Sequence, residues 1–218
     1  MLIVAPVLWF CLEALVASRF RPPYSYAHNY ISDLGVPDPG TFEGRAMDSP
    51  LAGVANFMFV SQGILFLLAA LLLTRAVPPS PSRRAFRLLA IGYAVGYALI
   101  ATFHGSEQAA ANGTAKFHVL GGAIAAICGN GALIVAGSHL RKTHGHRIFG
   151  LFTASAGVVG ILALVLLLID RSSSSFNLLP DGVWERGGCY PILIWEFVTG
   201  ALVLMIARQR RAGEPQHN

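Results

Sequence analysis

The chain has 218 residues, of which 54% are hydrophobic and only 12% are charged, and its mean hydropathy is +0.57. Charged residues make up about a quarter of a typical soluble domain, so this composition excludes a soluble domain with one large core and predicts a polytopic membrane protein. The net charge of +5 does not indicate a nucleic-acid partner, because the basic residues lie at the ends of apolar segments, which is the pattern of membrane orientation. The three scattered cysteines provide neither a disulfide framework nor the spacing of a zinc site.

Six apolar segments approach the length of about 20 residues that a helix needs to cross a bilayer. They are residues 1–18, 51–74, 86–104, 117–138, 148–169 and 190–207. The first segment has no basic region before it, which favours a retained helix over a cleaved signal peptide. We therefore expect an all-α fold: one bundle of six transmembrane helices over residues 1–208, with a long first extracytoplasmic loop and a cytoplasmic tail at 209–218.

The connections between these segments alternate in charge along the chain. Ten of the sixteen lysines and arginines lie around the connections that follow the second, fourth and sixth segments: Arg75, Arg83, Arg84, Arg87, Arg141, Lys142, Arg147, Arg208, Arg210 and Arg211. The other connections, residues 19–50, 105–116 and 170–189, hold eight of the eleven acidic residues. Since cytoplasmic connections carry the excess of basic residues, we expect a multi-pass protein of the cell membrane with both termini in the cytoplasm.

The stretch "YSYAHNYISDLG", residues 24–35, places polar side chains directly after the first apolar segment. We expect it to fold onto the bundle and line a polar cavity, because non-helical backbone near a membrane is tolerated where it lines such a cavity. A simpler interpretation is a capped turn, in which Ser32 or Asp33 accepts backbone hydrogen bonds and Gly35 takes a positive φ.

Polar side chains of the apolar segments concentrate in the half that this orientation places outside. Glu13 lies six residues before Arg19, and Glu196 lies six residues after Tyr190, so each is about 9 Å from the outer end of its helix. Ionisable groups at such depth are costly and usually have a partner or a function. We expect eleven residues to form one outward-facing ligand-binding pocket: Glu13, His28, Asn29, Ser32, Asp33, Asn56, His104, His118, Glu185, Arg186 and Glu196.

Some members of this set have simpler interpretations. The pair Glu185 and Arg186 could bridge to Asp33 or Asp48 and clamp the outer loops together. The two helix-end histidines could be interfacial hydrogen-bonding residues. We expect neither a metal nor a cofactor, since the sequence has no HxxxH, HExxH or CxxC spacing and no CxxCH.

Four stretches of the sequence resemble a known family. They are "NYISDLGVPDPG", "SPLAGVANFMFVSQGILF", "FHG" after the third apolar segment, and "GVWERGGCYPILIW" before the last helix. Together they resemble the bacterial and archaeal integral-membrane family of domain of unknown function 998, almost from end to end. The "YISDLG" portion is also distantly similar to DRAM-type and Frag-type membrane proteins. The resemblance implies the six-span architecture and carries over no reaction and no catalytic residue.

Several functions are compatible with these features. The first is binding of a lipid or other amphiphile, with membrane lipids as partners, because the polar cluster lies at headgroup depth beside interfacial tyrosines and tryptophan. The second is a hydrolase or transferase acting on a lipid-linked substrate, in which Asp33, Glu13 or Glu196 would act with His28, His104 or His118 in acid–base chemistry. The third is an accessory or scaffold subunit with a membrane-protein partner. A transporter is disfavoured, since the charged residues do not continue into the cytoplasmic half.

Overall fold

The computed structural model describes residues 1–143, 145–172 and 178–212, with side chains as far as residue 210. Within these ranges the fold is all-α, with one small hairpin. Its seven helices are α1 (Val4–Ala17), α2 (Ala52–Leu73), α3 (Pro81–Thr102), α4 (Glu107–Ala111), α5 (Ala115–Leu140), α6 (Arg147–Ser172) and α7 (Asp181–Ala212).

Five of the described helices are long and apolar enough to cross a membrane: α2, α3, α5, α6 and α7. They confirm the prediction of a protein with several transmembrane helices. The apolar helix α1 has only 14 residues, so its length and composition do not by themselves make it a sixth span.

Several helix boundaries differ from the predicted segments. Helix α7 begins at Asp181 rather than at residue 190, and it continues to Ala212, into the predicted tail at 209–218. Residues 213–218 of that tail lie outside the described residues. Hydropathy alone missed the first two turns of α7, because they carry the polar residues Glu185 and Arg186.

The long helices pack as neighbours in the order α2, α3, α5, α6 and α7, and α1 lies against α2 and α7. Glycines allow several of these contacts, as expected for helices that pack closely in lipid. A Cβ at Gly96 of α3 would lie 2.5 Å from the backbone nitrogen of Ala125 on α5, and one at Gly157 of α6 would lie 2.5 Å from the carbonyl oxygen of Asn130 on α5. These small residues therefore serve packing within the bundle.

The two ends of the bundle differ in what they carry. We call one the cap end; it holds the connections 18–51 and 103–114 and the start of α7. The other, the basic end, holds the connection 74–80, the described residues 141–143 and 145–146 of the connection between α5 and α6, and the arginines and lysine near them. The beginning of α1 lies towards the basic end, because Leu2 lines a small gap together with Leu73 of α2 and Phe86 of α3.

The first connection folds into a compact cap. It contains a 3-10 helix, Ile31–Gly35, and an antiparallel hairpin of β1 (Gly40–Phe42) and β2 (Arg45–Met47). Glu43 and Gly44 form the turn with φ of 48° and 77°, the backbone region in which two-residue hairpin loops are favoured. The connection does pack onto the bundle, since Ile31 and Leu34 are buried against it.

Candidate functional site

Asp33 caps the 3-10 helix and also anchors the hairpin. Its Oδ2 accepts hydrogen bonds from the backbone N–H of Tyr30 at 3.0 Å and from Nδ2 of Asn29 at 3.2 Å. The same oxygen accepts a hydrogen bond from Nε of Arg45 on β2 at 3.0 Å, and Asp33 is only 2% exposed. The capped-turn interpretation is confirmed for Asp33, which also binds an arginine that sequence reasoning missed.

Gly35 has a different role from the one expected. The glycines with positive φ in the described chain are Gly44, Gly113 and Gly145, so the prediction of a positive φ at Gly35 is wrong. A Cβ at Gly35 would overlap Oδ1 of Asn56, whose Nδ2 donates to the carbonyl oxygen of Gly35 at 2.9 Å. Glycine is needed here because α2 approaches the cap so closely.

The two helix-end histidines make separate contacts. Nε2 of His104 lies 3.3 Å from Nδ2 of Asn56, so the imidazole accepts from the amide in its neutral form. Burial lowers the pKa of His104, which favours that form. Nδ1 of His118 lies 2.8 Å from the carbonyl oxygen of Phe103 and ties the start of α5 to the end of α3. Both histidines therefore have the hydrogen-bonding role that the simpler interpretation predicts.

Glu13 on α1 is a buried carboxylate with three partners on two helices. Arg186 of α7 donates from Nη2 to Oε1 at 3.1 Å, and the hydroxyl of Tyr190 donates to the carboxylate at 3.0 Å. From its own helix, Nε1 of Trp9 donates to Oε2 at 3.0 Å. The negative charge of this carboxylate is thus paired with Arg186, and both of its oxygens accept hydrogen bonds within the bundle.

Arg186 joins this helix pair to the cap. Its Nη1 donates to the carbonyl oxygens of Asn29 at 3.0 Å and Gly182 at 3.1 Å. Its Nη2 also donates to the hydroxyl of Tyr24, and the guanidinium lies 5.0 Å from the ring centroid of Tyr26. Arginine forms such multiple planar contacts well, so one side chain fixes α1, α7 and the polar stretch together.

The expected loop clamp is therefore present with a different acidic partner. Arg186 pairs with Glu13, not with Asp33 or Asp48. It connects to Asp33 indirectly, through the carbonyl and the amide of Asn29 and by a longer route through Tyr24 and Tyr30. Glu185 points elsewhere and accepts a hydrogen bond from the backbone N–H of Ile31.

A second group of charges links the hairpin with α6 and the start of α7. The hydroxyl of Tyr30 donates to Oδ2 of Asp181 at 2.6 Å and accepts from Nη1 of Arg171 at 3.0 Å. Arg171 also pairs with Glu43 in the hairpin turn, and Arg45 stacks 4.3 Å above the ring of Tyr30.

The sequence did contain a signal for the missed arginines Arg45 and Arg171. Both lie at the acidic end of the protein, where the orientation rule disfavours basic residues.

Glu196 belongs to neither of these groups. Its Oε2 accepts from Nε2 of Gln62 on α2 at 2.6 Å, and the same amide nitrogen lies 3.3 Å from the hydroxyl of Tyr93 on α3. None of these residues bonds to Glu13 or Arg186.

The eleven residues are thus divided among several hydrogen-bonded groups, and a single pocket lined by all of them stays a prediction. Asn29 and Asp33 share one hydrogen-bonded group, Glu13 and Arg186 a second, Asn56 and His104 a third, and Glu196 a fourth, with Asn29 linking the first two. Among the rest, His28 is exposed and Ser32 is half-buried. Depth also differs from the expectation for Glu196: because α7 begins at Asp181, Glu196 lies about 22 Å from the start of its helix rather than about 9 Å. The role of the eleven residues in ligand binding stays a prediction.

The cap end does contain a cavity, of about 260 Å³. It lies between the hairpin and α4, and its lining is Asp38, Pro39, Gly40, Thr41, Met47, Ser106, Glu107, Gln108 and Ala111. None of the eleven predicted residues is in this set. The cavity is nevertheless connected to them, because the ion pair of Asp33 and Arg45 holds the hairpin that forms one of its walls.

Comparison with known proteins identifies a family and no individual relative. The model of the family described as "Protein of unknown function (DUF998)" matches residues 3–202, from α1 into the last part of α7. Comparison with curated proteins gives no significant match, and comparison with solved structures gives none either, so the distant similarity to DRAM-type and Frag-type proteins stays a prediction. The match covers most of the chain and confirms the closer resemblance: the protein belongs to the DUF998 family of proteins of unknown function.

Proposed function

We propose that this protein binds a lipid or other amphiphile at the cap end of its bundle, in the cavity between the hairpin and α4. The amphipathic lining of that cavity is the observation that carries the proposal. Asp38, Thr41, Ser106, Glu107 and Gln108 supply polar groups, and the remaining lining includes Pro39, Met47 and Ala111. Ligand pockets typically combine an apolar wall with a few polar groups that fix orientation.

The size of the cavity favours a headgroup over a whole lipid. Its volume of about 260 Å³ lies just below the roughly 300–1,000 Å³ of typical small-molecule pockets. The acyl chains would remain in the bilayer beside α5, which directly follows α4. Phe117, Val119 and Leu120 expose apolar surface there, so a lipid could keep its tails in hydrocarbon while its head enters the cavity.

The charge of the lining selects a class of headgroup. Two carboxylates, Asp38 and Glu107, are among the nine lining residues, and none of the nine is basic. Opposite charges attract and like charges repel across a binding surface. A headgroup with an ammonium group therefore fits better than a purely anionic one.

The same proposal includes six spans with both ends of the chain in the cytoplasm. The alternation of basic and acidic connections supports this orientation, and the gap that Leu2 lines together with Leu73 and Phe86 supports a crossing by α1. The cavity would then open to the outer side of the cell membrane. The hydrolase or transferase alternative has less support, because Asp33, Glu13 and Glu196 belong to separate hydrogen-bonded groups.

Lipid binding to the purified protein tests this proposal. Native mass spectrometry in mild detergent would compare phosphatidylethanolamine with phosphatidylglycerol of the same acyl chains. We expect preferential binding of the ethanolamine lipid, and loss of that preference in the double variant Asp38→Asn/Glu107→Gln. The matched control is Asp48→Asn, which neutralises a carboxylate of the same loop outside the cavity lining. Equal binding of both lipids by the wild type, or an unchanged preference in the double variant, would contradict the proposal.

A further inference from the structure

Gln62 and Glu196 form a polar pair in the interior of the bundle. Gln62 is 1% exposed and Glu196 is 0% exposed. Their surroundings are largely aromatic. The ring centroid of Tyr93 lies 4.6 Å from that of Phe66, and the ring centroid of Phe66 lies 6.2 Å from that of Trp195. Glu196 is also about 9 Å further along α7 than Tyr190, so it lies deeper than the Glu13 group.

The hydrogen bonds of this pair are incomplete in a specific way. The amide nitrogen of Gln62 donates to Oε2 of Glu196 at 2.6 Å and lies 3.3 Å from the hydroxyl of Tyr93. The two remaining oxygens, Oε1 of Gln62 and Oε1 of Glu196, are both buried without a partner among the described residues. An ionised carboxylate and an amide oxygen can only accept, so neither can satisfy the other.

Among the residues that the structure describes, no cation forms an ion pair with Glu196. The ion pairs of the described residues involve Asp33, Glu43 and Glu13, and none involves Glu196. The titratable groups that act on Glu196 are the amino group of Met1 and Tyr93 of α3, and Tyr97 and Cys189 lie next to Tyr93. An ionised carboxylate held by one neutral donor would be very costly in such surroundings.

We propose that Glu196 is a proton-binding site: it is held as a neutral carboxylic acid whose Oε1–H donates to Oε1 of Gln62. A single proton then satisfies both unpartnered oxygens and removes the buried charge. With the existing bond from Nε2 of Gln62 to Oε2 of Glu196, it closes a cyclic pair of acid and amide. The proton is taken from water when the bundle forms, and no other bond is made or broken.

Infrared difference spectroscopy distinguishes the acid from the carboxylate directly. We expect the spectrum of wild type minus Glu196→Gln, at about neutral pH, to contain the C=O stretch of a protonated carboxylic acid. The matched control is Glu43→Gln, which removes a carboxylate that pairs with Arg171 near solvent and should show only carboxylate bands. If the Glu196 difference also shows only carboxylate bands, the group is ionised and the proposal is overturned. Isotope-labelled glutamate in the wild type gives the same readout if the variant does not fold.

The melting temperature in detergent provides a second, independent test. Glu196→Gln should retain the melting temperature of the wild type, because two amides form the same cyclic pair. Glu196→Leu should lower it, because it leaves the amide of Gln62 without this partner. A rise in the melting temperature of the wild type with sodium ions, lost in Glu196→Gln, would instead mean that a cation occupies the pair and would overturn the proposal.

Discussion

Arginine–glutamate pairs at the cap end differ in how far water reaches them. The side chains of Arg186 and Glu13 are 9% and 2% exposed, whereas those of Arg171 and Glu43 are 40% and 37% exposed. Removing one partner of a buried pair leaves an uncompensated charge in a poor solvent. An exposed pair is screened, and each partner can be hydrated when the other is lost.

The same substitution should therefore have different effects at the two sites. We expect Glu13→Gln to destabilise the protein by about 3–5 kcal/mol, and Glu43→Gln by about 0–1 kcal/mol. Denaturation of the purified protein in detergent, followed by tryptophan fluorescence, measures both. Adding Arg186→Met to Glu13→Gln should recover part of the loss, since the unpaired guanidinium is then removed. Equal losses for the two single variants would mean that the buried pair is not a stabilising contact.

His104 adds a dependence on pH at the cap. Burial lowers its pKa below the usual value of 6.5, and its Nε2 accepts from Asn56 only when the ring is neutral. The unfolded chain consequently binds a proton at a higher pH than the folded chain does. Stability from the neutral ring is therefore complete above about pH 6.5 and is lost as the pH falls below that value.

We expect His104→Gln to flatten this part of the pH dependence, because the amide oxygen of glutamine can accept from Asn56 without titrating. Melting temperatures between about pH 8 and about pH 5 would measure the slope. His28→Gln is the matched control, at a histidine that is exposed, and should leave the slope as in the wild type. If the melting temperature of His104→Gln changes with pH as steeply as that of the wild type, His104 is not the cause of the pH dependence.

The cap depends on the contact between the 3-10 helix and the hairpin. Asp33 accepts from Arg45 at 3.0 Å, and both strands have only three residues. Other anchors of the hairpin are the exposed pair of Glu43 with Arg171 and the buried side chain of Met47. A two-stranded hairpin alone is marginally stable in water. Its position, and with it one wall of the cavity, should therefore depend on this ion pair.

We expect Asp33→Asn and Arg45→Met to be coupled by about 0.5–3 kcal/mol in a double-mutant cycle, the range for residues in contact. The pair of Asp33→Asn with Arg186→Met should be coupled less, since these residues make no direct contact and are joined through Asn29 or through Tyr24 and Tyr30. Hydrogen–deuterium exchange of residues 40–47 should also rise in Arg45→Met. Additive effects of the Asp33 and Arg45 substitutions, with unchanged exchange in the hairpin, would show that other contacts hold the cap.

The long helices could be predicted because their apolar segments are long. The hairpin strands and α4 were not predicted because they are short. The segments that became α2, α3, α5 and α6 contain runs long enough to outweigh a few polar residues. The strands of the hairpin are too short to show the alternation by which strands are recognised. Helix α4 has only five residues, and the one feature of the sequence that indicates it is the capping serine Ser106.

The depth of Glu196 was predicted too close to the outer end, because α7 begins at Asp181 and not at Tyr190. The direction of the polar side chains around each helix also needed more than depth. Tyr190 and Glu196 are six residues apart on α7, and successive residues turn by about 100°, so the two side chains point about 120° apart. Arg186 and Tyr190 are four residues apart and share a face, on which both meet Glu13. Helical phase on α7 therefore separates Glu196 from the Glu13 group, and the sequence contained that information.

The whole molecule has one acidic, capped end and one basic end, and α1 is the helix whose crossing decides the topology. Its 14 residues span about 21 Å, less than the roughly 30 Å of the hydrocarbon core. Residues before the helix extend it, however: a Cβ at Gly200 of α7 would lie 2.7 Å from Ile3 and 3.0 Å from Leu2. The start of the chain is thus next to the half of α7 that leads to the basic end.

Cysteine accessibility tests this arrangement in cells. After replacement of the native cysteines Cys11, Cys128 and Cys189, single cysteines would be introduced at Ser80 of the basic end, at Asn112 of the cap end, and in a short extension before Met1. With the basic end in the cytoplasm, the Asn112 site should react with an impermeant maleimide in intact cells. The Ser80 site and the extension should react only after permeabilisation, since both lie at the basic end. Reaction at Ser80 in intact cells would reverse the orientation, and reaction of the extension alone would show that α1 does not cross with the other five helices.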